Sequence, residues 1–131
     1  MKKKVFIVSL AVLLSAFQSQ ALAGSAPLST QELKQAIGSG KKTVVFFINP
    51  MGKPCLTQKE ILLKLQQDKA KQFNIAYVDA SKPEDRKAFY DYGVRGLPSL
   101  ALVDSSGNIA KIFPPGIQSY ETLVQALDNI E

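Results

Sequence analysis

The sequence predicts an α/β fold, namely a central mixed β-sheet flanked by helices on both of its faces. Over residues 28–130 the patterns follow the order helix, strand, helix, strand, helix, strand, strand, helix. A strand–helix–strand order implies parallel pairing with a right-handed crossover, whereas two consecutive strands joined by a short turn imply an antiparallel hairpin. Residues 42–48, KTVVFFI, are apolar without alternation, which is typical of a strand covered on both faces.

The first 23 residues have the pattern of a secretory signal peptide. Three lysines at positions 2–4 precede an apolar run over residues 5–17, and small residues follow at positions 21, 23 and 24. The apolar run is too short to span a bilayer, which needs about 20 such residues. We therefore expect a signal peptide over residues 1–23, one domain over residues 24–131 and export, with a bacterial periplasm as the destination. An uncleaved signal segment would be the only membrane attachment.

Composition excludes several classes of function. The chain has no His and one Cys, so we expect no Ser-His or Cys-His catalysis, no metal site, no cofactor and no internal disulfide. Without the three lysines of the signal segment, thirteen basic side chains stand against eleven acidic ones, a net charge of +2. This excess is too small to indicate nucleic acid as a partner.

The first helix and the first strand follow from local signals. We predict a helix over residues 28–37 that Ser29 caps, because Glu32 stands three residues later, the spacing of a capping box. The strand over residues 42–48 comes next.

A turn and a long helix follow this strand. Residues 49–54, NPMGKP, contain two prolines and a glycine, which indicate a turn. The helix is expected to begin at Pro54 or Cys55 and to reach residue 71, because a proline in the first helical turn leaves no N–H unsatisfied.

The second half is predicted from β-branched runs, which indicate strands, and from acidic or hydroxyl-bearing helix starts. Its elements are a strand over residues 74–78, a helix that starts over residues 81–85, runs to about Tyr92 and is stopped by Gly93, strands over residues 99–103 and 108–113, and a last helix capped by Ser119.

Two motifs in this order resemble the thioredoxin family. Residues 92–99, YGVRGLPS, closely match the family's stretch around its cis-proline. Residues 46–48 lead into residues 51–55, MGKPC, which stand in the place of the family's Trp-Cys-Gly-Pro-Cys. The resemblance extends over nearly all of residues 28–130. It implies a thioredoxin-like fold and a cis bond before Pro98. The family's usual first strand is expected to be short or missing here, because few residues separate the end of the signal segment from the first helix.

The resemblance also shows where this chain departs from the family. Gly52 stands in the place of the first, attacking Cys, Met51 in that of the flanking Trp, and Phe46 in that of a buried acidic residue. Cys55 alone remains of the reactive set. A dithiol reductase needs one thiol to attack and a second to resolve the mixed disulfide, so ordinary dithiol cycling is not expected.

Two functions remain open at this stage. In the first, an exported thioredoxin-fold protein handles thiols and disulfides as a monothiol oxidoreductase. Cys55, left accessible by Gly52, forms a mixed disulfide with a protein or small-molecule partner, and an outside thiol resolves it. In the second, Cys55 is a structural core residue and the domain is a non-catalytic peptide-binding adaptor. A homodimer linked through Cys55 is a further possibility.

The resemblance also implies a groove for extended peptides. The residue before the cis-proline, Leu97, would offer its backbone N–H and C=O groups to the peptide, a form of strand addition that needs no cysteine. The substrate-binding residues predicted in this way are Met51, Gly52, Lys53, Pro54, Gly96, Leu97 and Pro98.

Overall fold

The computed structural model describes residues 24–69 and 72–130. The strands are β1 (Lys42–Ile48), β2 (Phe73–Asp79), β3 (Ser99–Val103) and β4 (Ile109–Ile112). The α-helices are α1 (Gln31–Gly38), α2 (Lys53–Asp68), α3 (Arg86–Tyr92) and α4 (Tyr120–Asp128), with a 3₁₀ turn over Pro83–Asp85 before α3. Within these ranges no helix combines the length and the apolar character needed to cross a membrane. The predicted signal segment, residues 1–23, lies outside the described residues.

The four strands form one mixed sheet in the order β2-β1-β3-β4. β1 pairs in parallel with β2 and antiparallel with β3, and β3 pairs antiparallel with β4. The predicted parallel unit and closing hairpin are therefore confirmed. Since Phe47 pairs with Ser99, the end of β1 lies beside the start of β3.

Two apolar layers explain why β1 shows no alternation. Val44 and Phe46 belong to the layer shared with α2 and α4, whereas Val45 and Phe47 belong to the layer shared with α1 and α3. Both faces of β1 are thus covered, and its side chains from Thr43 to Ile48 are buried. The predicted helices on both faces are confirmed.

The predicted cap of the first helix was wrong. Helix α1 begins at Gln31, and the Oγ1 atom of Thr30 caps it by accepting the N–H of Leu33 at 3.1 Å. Ser29 lies one residue too early and instead donates a hydrogen bond to Asp91. Glu32 is no capping-box partner, because its carboxylate accepts the N–H of Tyr77 in β2 at 2.6 Å.

The predicted end of α3 and cap of α4 are confirmed, whereas α2 ends at Asp68 instead of residue 71 and α3 begins only at Arg86, after the 3₁₀ turn. Gly93 ends α3 in the left-handed region, with φ at 69°, and the N–H of Val94 donates to the carbonyl of Phe89 at 2.9 Å. Ser119 caps α4 by accepting the N–H of Thr122 at 3.1 Å. Glycine is the residue type preferred at such a left-handed helix end, and serine is among those preferred at a helix start.

Within the described ranges no strand precedes α1, so β2 forms one edge of the sheet. Side chains cover several backbone groups along this edge. The N–H of Tyr77 donates to Glu32 and that of Asp79 donates to Asp85 at 2.9 Å. Ser25 makes an isolated antiparallel bridge with Asn108 instead, so the start of the domain lies beside the hairpin of β3 and β4.

Candidate functional site

Asn49 builds the turn that joins β1 to α2. Its carbonyl accepts the N–H of Gly52 at 3.0 Å, and its Oδ1 accepts the N–H of Met51 at 3.1 Å. Gly52 is the N-cap of α2, with φ −88° and ψ 133°, an extended conformation open to any residue. Helix α2 therefore begins at Lys53, one residue before the earlier of the two predicted starts.

Cys55 is buried in the first turn of α2, with 2% of its surface exposed. It belongs to the layer that includes Phe46 and Leu62, and its Sγ accepts the N–H of Asn49 at 3.4 Å. The expectation that Gly52 would leave this thiol accessible was therefore wrong for this conformation, because the turn over residues 49–52 folds against the sulfur.

The turn nevertheless has room for a side chain at position 52. A β-carbon built on Gly52 would lie 3.5 Å from the carbonyl oxygen of Asn49 and 3.8 Å from Sγ of Cys55. Both distances are ordinary van der Waals contacts. A side chain at this position would therefore meet the buried sulfur without strain.

The other predicted residues of this segment lie on the surface. Met51 is 87% exposed, and Lys53 and Pro54 are exposed as well. Because this large apolar side chain lies in solvent, it contributes no hydrophobic stabilisation to the free protein. Its flexible thioether is suited to varied apolar partners.

The second predicted segment lies at the start of β3. The Leu97–Pro98 peptide bond is cis, and the carbonyl of Pro98 accepts the N–H of Gly116 at 2.9 Å. A β-carbon on Gly96 would lie 3.0 Å from Cβ of Pro115. The missing side chain at Gly96 is therefore what lets the loop over residues 113–118 approach.

The backbone of Leu97 is available for pairing. Within residues 24–69 and 72–130, its N–H and C=O groups have no hydrogen-bond partner. The register that pairs Phe47 with Ser99 places Leu97 and Pro98 beside the turn that follows β1. The two predicted segments therefore lie at the same edge of the fold, and we keep the name peptide groove for the predicted substrate-binding residues, 51–54 and 96–98.

Sequence reasoning missed the part played by Gln58. Its side chain is fully buried, its Nε2 donates to the carbonyl of Gln118 at 3.2 Å, and its Oε1 accepts the N–H of Gln118 at 2.6 Å. The Nε2 atom of Gln118 in turn donates to the carbonyl of Pro114 at 3.1 Å. Gln58 thus attaches α2 to the loop that contacts Pro98.

A signal for this role was present in the sequence. Positions 55, 58, 62 and 65 follow one another at intervals of three or four, the spacing of one helix face. A polar residue within an apolar stripe indicates a buried hydrogen bond, because an unpaired amide would be costly there.

Among residues 24–69 and 72–130, no acidic side chain forms a hydrogen bond with the buried sulfur. Phe46 is fully buried and packs against Tyr77, with 5.7 Å between the ring centroids. Burial raises the pKa of the Tyr77 hydroxyl above its usual value, and the charge of Glu32 adds to this. Within the described ranges the N–H of Asn49 is the only hydrogen-bond partner of the Cys55 thiol.

Comparison with solved structures shows the same fold in several proteins. A thioredoxin variant from Halobacterium salinarum has a TM-score of 0.67 at 21% identity, over 77% of this chain and 84% of that one. Thioredoxin from Fasciola hepatica has a TM-score of 0.63 at 20% identity, over 76% of this chain and 91% of that one. The exposed lipoprotein thioredoxin of Streptococcus pneumoniae has a TM-score of 0.61 at 18% identity, over 72% of this chain and 90% of that one.

Sequence comparison supplies the family. No curated protein matches the chain, but the family model described as a thioredoxin-like domain matches residues 30–131. This match spans most of the chain and includes all four strands and all four helices described above. The chain therefore belongs to the family of thioredoxin-like domains.

Proposed function

We propose that this chain is an exported, thioredoxin-like module that binds extended polypeptide segments in the peptide groove and performs no dithiol cycle of its own. The observation that carries the proposal is the contrast between the two parts of the site. Cys55 is 2% exposed, whereas Met51 is 87% exposed. Met51 is therefore available for docking in the free protein, whereas the sulfur is not.

Strand addition is the docking mode that the backbone favours. Leu97 immediately precedes Pro98 and β3, and its N–H and C=O groups are unpaired within the described ranges. An extended peptide that pairs with Leu97 would gain one or two backbone hydrogen bonds. Met51 would supply apolar contact to a peptide side chain.

A pair of substitutions at position 97 tests this docking mode. Leu97→Pro removes the backbone N–H, whereas Leu97→Ala trims the side chain and keeps it. A labelled, uncharged extended peptide should bind Leu97→Pro roughly three- to tenfold more weakly than Leu97→Ala, the value of one hydrogen bond. Equal affinities for the two folded variants, measured by fluorescence anisotropy, would contradict strand addition at this residue.

The role of the sulfur is tested separately. If Cys55 is structural, Cys55→Ser should bind the same peptide with unchanged affinity, because the hydroxyl can still accept the N–H of Asn49. Loss of peptide binding by a folded Cys55→Ser protein would mean that the sulfur takes part in docking.

A monothiol oxidoreductase is the second candidate, and the thin cover over Cys55 favours it. A β-carbon at position 52 would lie 3.8 Å from Sγ of Cys55, and because this residue is glycine, no side chain covers the sulfur there. If the turn opens, the Cys55 thiolate could attack a disulfide of a protein or small-molecule partner. A mixed disulfide would form, the partner's second sulfur would leave as a thiolate, and an outside thiol would resolve the product.

Alkylation rates separate the two candidates. Under native conditions a maleimide should label Cys55 orders of magnitude more slowly than in denaturant if the thiol is structural. Labelling at the rate of an exposed thiol would favour the monothiol reaction. A disulfide-linked homodimer through Cys55 needs the same opening, since two sulfurs must meet at about 2.05 Å, and it would appear as a doubled mass on a non-reducing gel.

Export rests on the residues of the predicted signal segment. Expression of the full chain in a bacterium should give a periplasmic protein whose mass lacks residues 1–23. A full-length mass in the membrane fraction would indicate an uncleaved anchor, and a full-length mass in the cytoplasm would contradict export.

A further inference from the structure

We propose that the peptide groove continues into an anion-recognising extension on α3, and that the segment this protein binds is acidic. The inference rests on the proposed function, because it names the charge of the peptide. The extension is a concavity of about 430 Å³ lined by Arg86, Phe89, Tyr90, Gly93, Val94 and Arg95. We call it the arginine extension.

The helix and its cap bring these residues together. Arg86 and Tyr90 are four residues apart on α3 and therefore share one face. Gly93, with φ at 69°, then reverses the chain so that Val94 and Arg95 return alongside the helix. The floor between the two sides is apolar, since Phe89 and Val94 pack on the sheet layer.

Both arginines of the chain are in this one place. Both are exposed, and within the described ranges neither guanidinium has an ion pair or a hydrogen bond. None of the described residues that line the concavity is acidic. Two unpaired guanidiniums over an apolar floor are complementary to carboxylates, which arginine binds through two parallel hydrogen bonds.

Tyr90 strengthens the case for a protein partner. It is 84% exposed, although an aromatic side chain gains most from burial. Tyrosine and arginine are the residue types most enriched at the energetic centres of protein interfaces. A ligand that covers Tyr90 and reaches both guanidiniums would bury apolar area and pair charge in the same contact.

A second concavity connects this surface to the peptide groove. It measures about 220 Å³ and shares Gly93, Val94 and Arg95 with the arginine extension. Its other side reaches Ser99 and Pro115, which flank the cis-proline segment. A peptide paired with Leu97 can therefore continue over Val94 and place an acidic side chain between the arginines.

Matched peptides test the inference on the whole domain. The probes are labelled extended peptides that share one uncharged stretch. One member of each pair carries two glutamates at one end and the other carries two glutamines at the same end, and both ends are tested. At about 50 mM salt the glutamate peptide should bind the wild type roughly five- to twentyfold more tightly, and at about 500 mM salt the difference should largely disappear.

Variants assign the preference to the arginines. The double substitution Arg86→Gln and Arg95→Gln should abolish the preference, whereas lysine at both positions should retain part of it. Lys34→Gln with Lys41→Gln removes the same charge from exposed lysines outside the concavity and should leave the preference nearly unchanged. A preference that survives in the double glutamine variant overturns the inference.

The remaining outcomes separate this inference from the proposed function. If both peptides bind the wild type equally, peptide binding at the groove is supported, whereas recognition of acidic side chains by the arginine extension is contradicted. If neither peptide binds, both proposals fall. Binding of phosphatidylglycerol vesicles that is lost in the double glutamine variant, without any preference for the glutamate peptide, would assign the arginines to a membrane surface and overturn the acidic peptide.

Discussion

A β-carbon at position 52 would lie 3.8 Å from Sγ of Cys55, so Gly52 and Cys55 face each other across the first turn of α2. In a disulfide, with its S–S bond of about 2.05 Å, the β-carbon of one residue lies about 3 Å from the sulfur of the other. The 3.8 Å found here is somewhat longer, so a disulfide across this turn would need the Cys55 side chain to turn slightly toward position 52.

Gly52→Cys should create that disulfide. The backbone at position 52 is extended and no contact shorter than 3.5 Å opposes a β-carbon. Thiol titration in denaturant should find two free thiols after reduction and none after oxidation, and the reduced protein should gain disulfide-reductase activity that the wild type lacks. Gly52→Ser, which adds a side chain of similar size, is the control. Two free thiols after oxidation would contradict the placement of the motif.

Gln58→Leu should destabilise the domain by about 1–3 kcal/mol, because it removes both hydrogen bonds to the partly buried backbone of Gln118. Peptide affinity should fall as well, since the loop that contacts Pro98 loses its attachment to α2. Urea denaturation measures the first effect and anisotropy the second. Gln67→Leu, an exposed position on the same helix, should change stability by less than about 0.5 kcal/mol.

Gly96→Ala should displace the loop over residues 113–118. The added β-carbon would lie 3.0 Å from Cβ of Pro115, closer than ordinary contact, and relieving such overpacking costs about 1–3 kcal/mol. Gly38→Ala is the matched control, because its β-carbon meets nothing within 4 Å. That substitution should be neutral or stabilising by about 0.4–1 kcal/mol. Equal denaturation midpoints for the two variants would contradict the packing argument.

The Asp91 carboxylate should make the stability of the domain depend on pH. Hydrogen bonds from Lys87, at 2.8 Å, and from Ser29 hold the pKa of Asp91 below its usual value of 3.8. A depressed pKa contributes stability above the unfolded-state pKa, and this contribution is lost as the pH falls through the folded-state pKa. Wild type and Asp91→Asn should therefore differ in urea midpoint near neutral pH, and the charge-dependent part of the difference should be lost as the pH falls below 3.8 and through the folded-state pKa.

An exposed carboxylate provides the comparison for this measurement. Glu60 on α2 is exposed and has no hydrogen bond or ion pair within the described ranges. Glu60→Gln should shift the midpoint little at either pH. A difference between wild type and Asp91→Asn that stays constant down to the acid limit would show that the Lys87 contact adds no charge-dependent stability.

Much of the fold could be predicted because its signals are local. The apolar run of β1, the glycine that ends α3 and the serine that caps α4 each act within a few residues. The cap of α1 could not be predicted, because Ser29 and Thr30 are both good caps. Glu32, which marked the capping box, bonds instead to Tyr77, 45 residues away.

The site was predictable in its position and not in its exposure. The two motifs indicate which residues come together, since β1 and β3 are neighbours in the sheet. They do not indicate whether the turn at Asn49 closes over Cys55, which depends on a hydrogen bond to the sulfur. The arginine extension was missed for a similar reason, because Arg86 and Arg95 meet only through the reversal at Gly93.

The covered edge of β2 has a consequence for self-association. Unpaired edge strands are templates on which a second copy can add, and carboxylates placed over the backbone donors oppose this. Glu32 and Asp85 occupy the N–H groups of Tyr77 and Asp79. Addition of a second copy at β2 is therefore disfavoured even in a concentrated solution of the domain. The peptide binding proposed above thus need not be accompanied by aggregation through this edge.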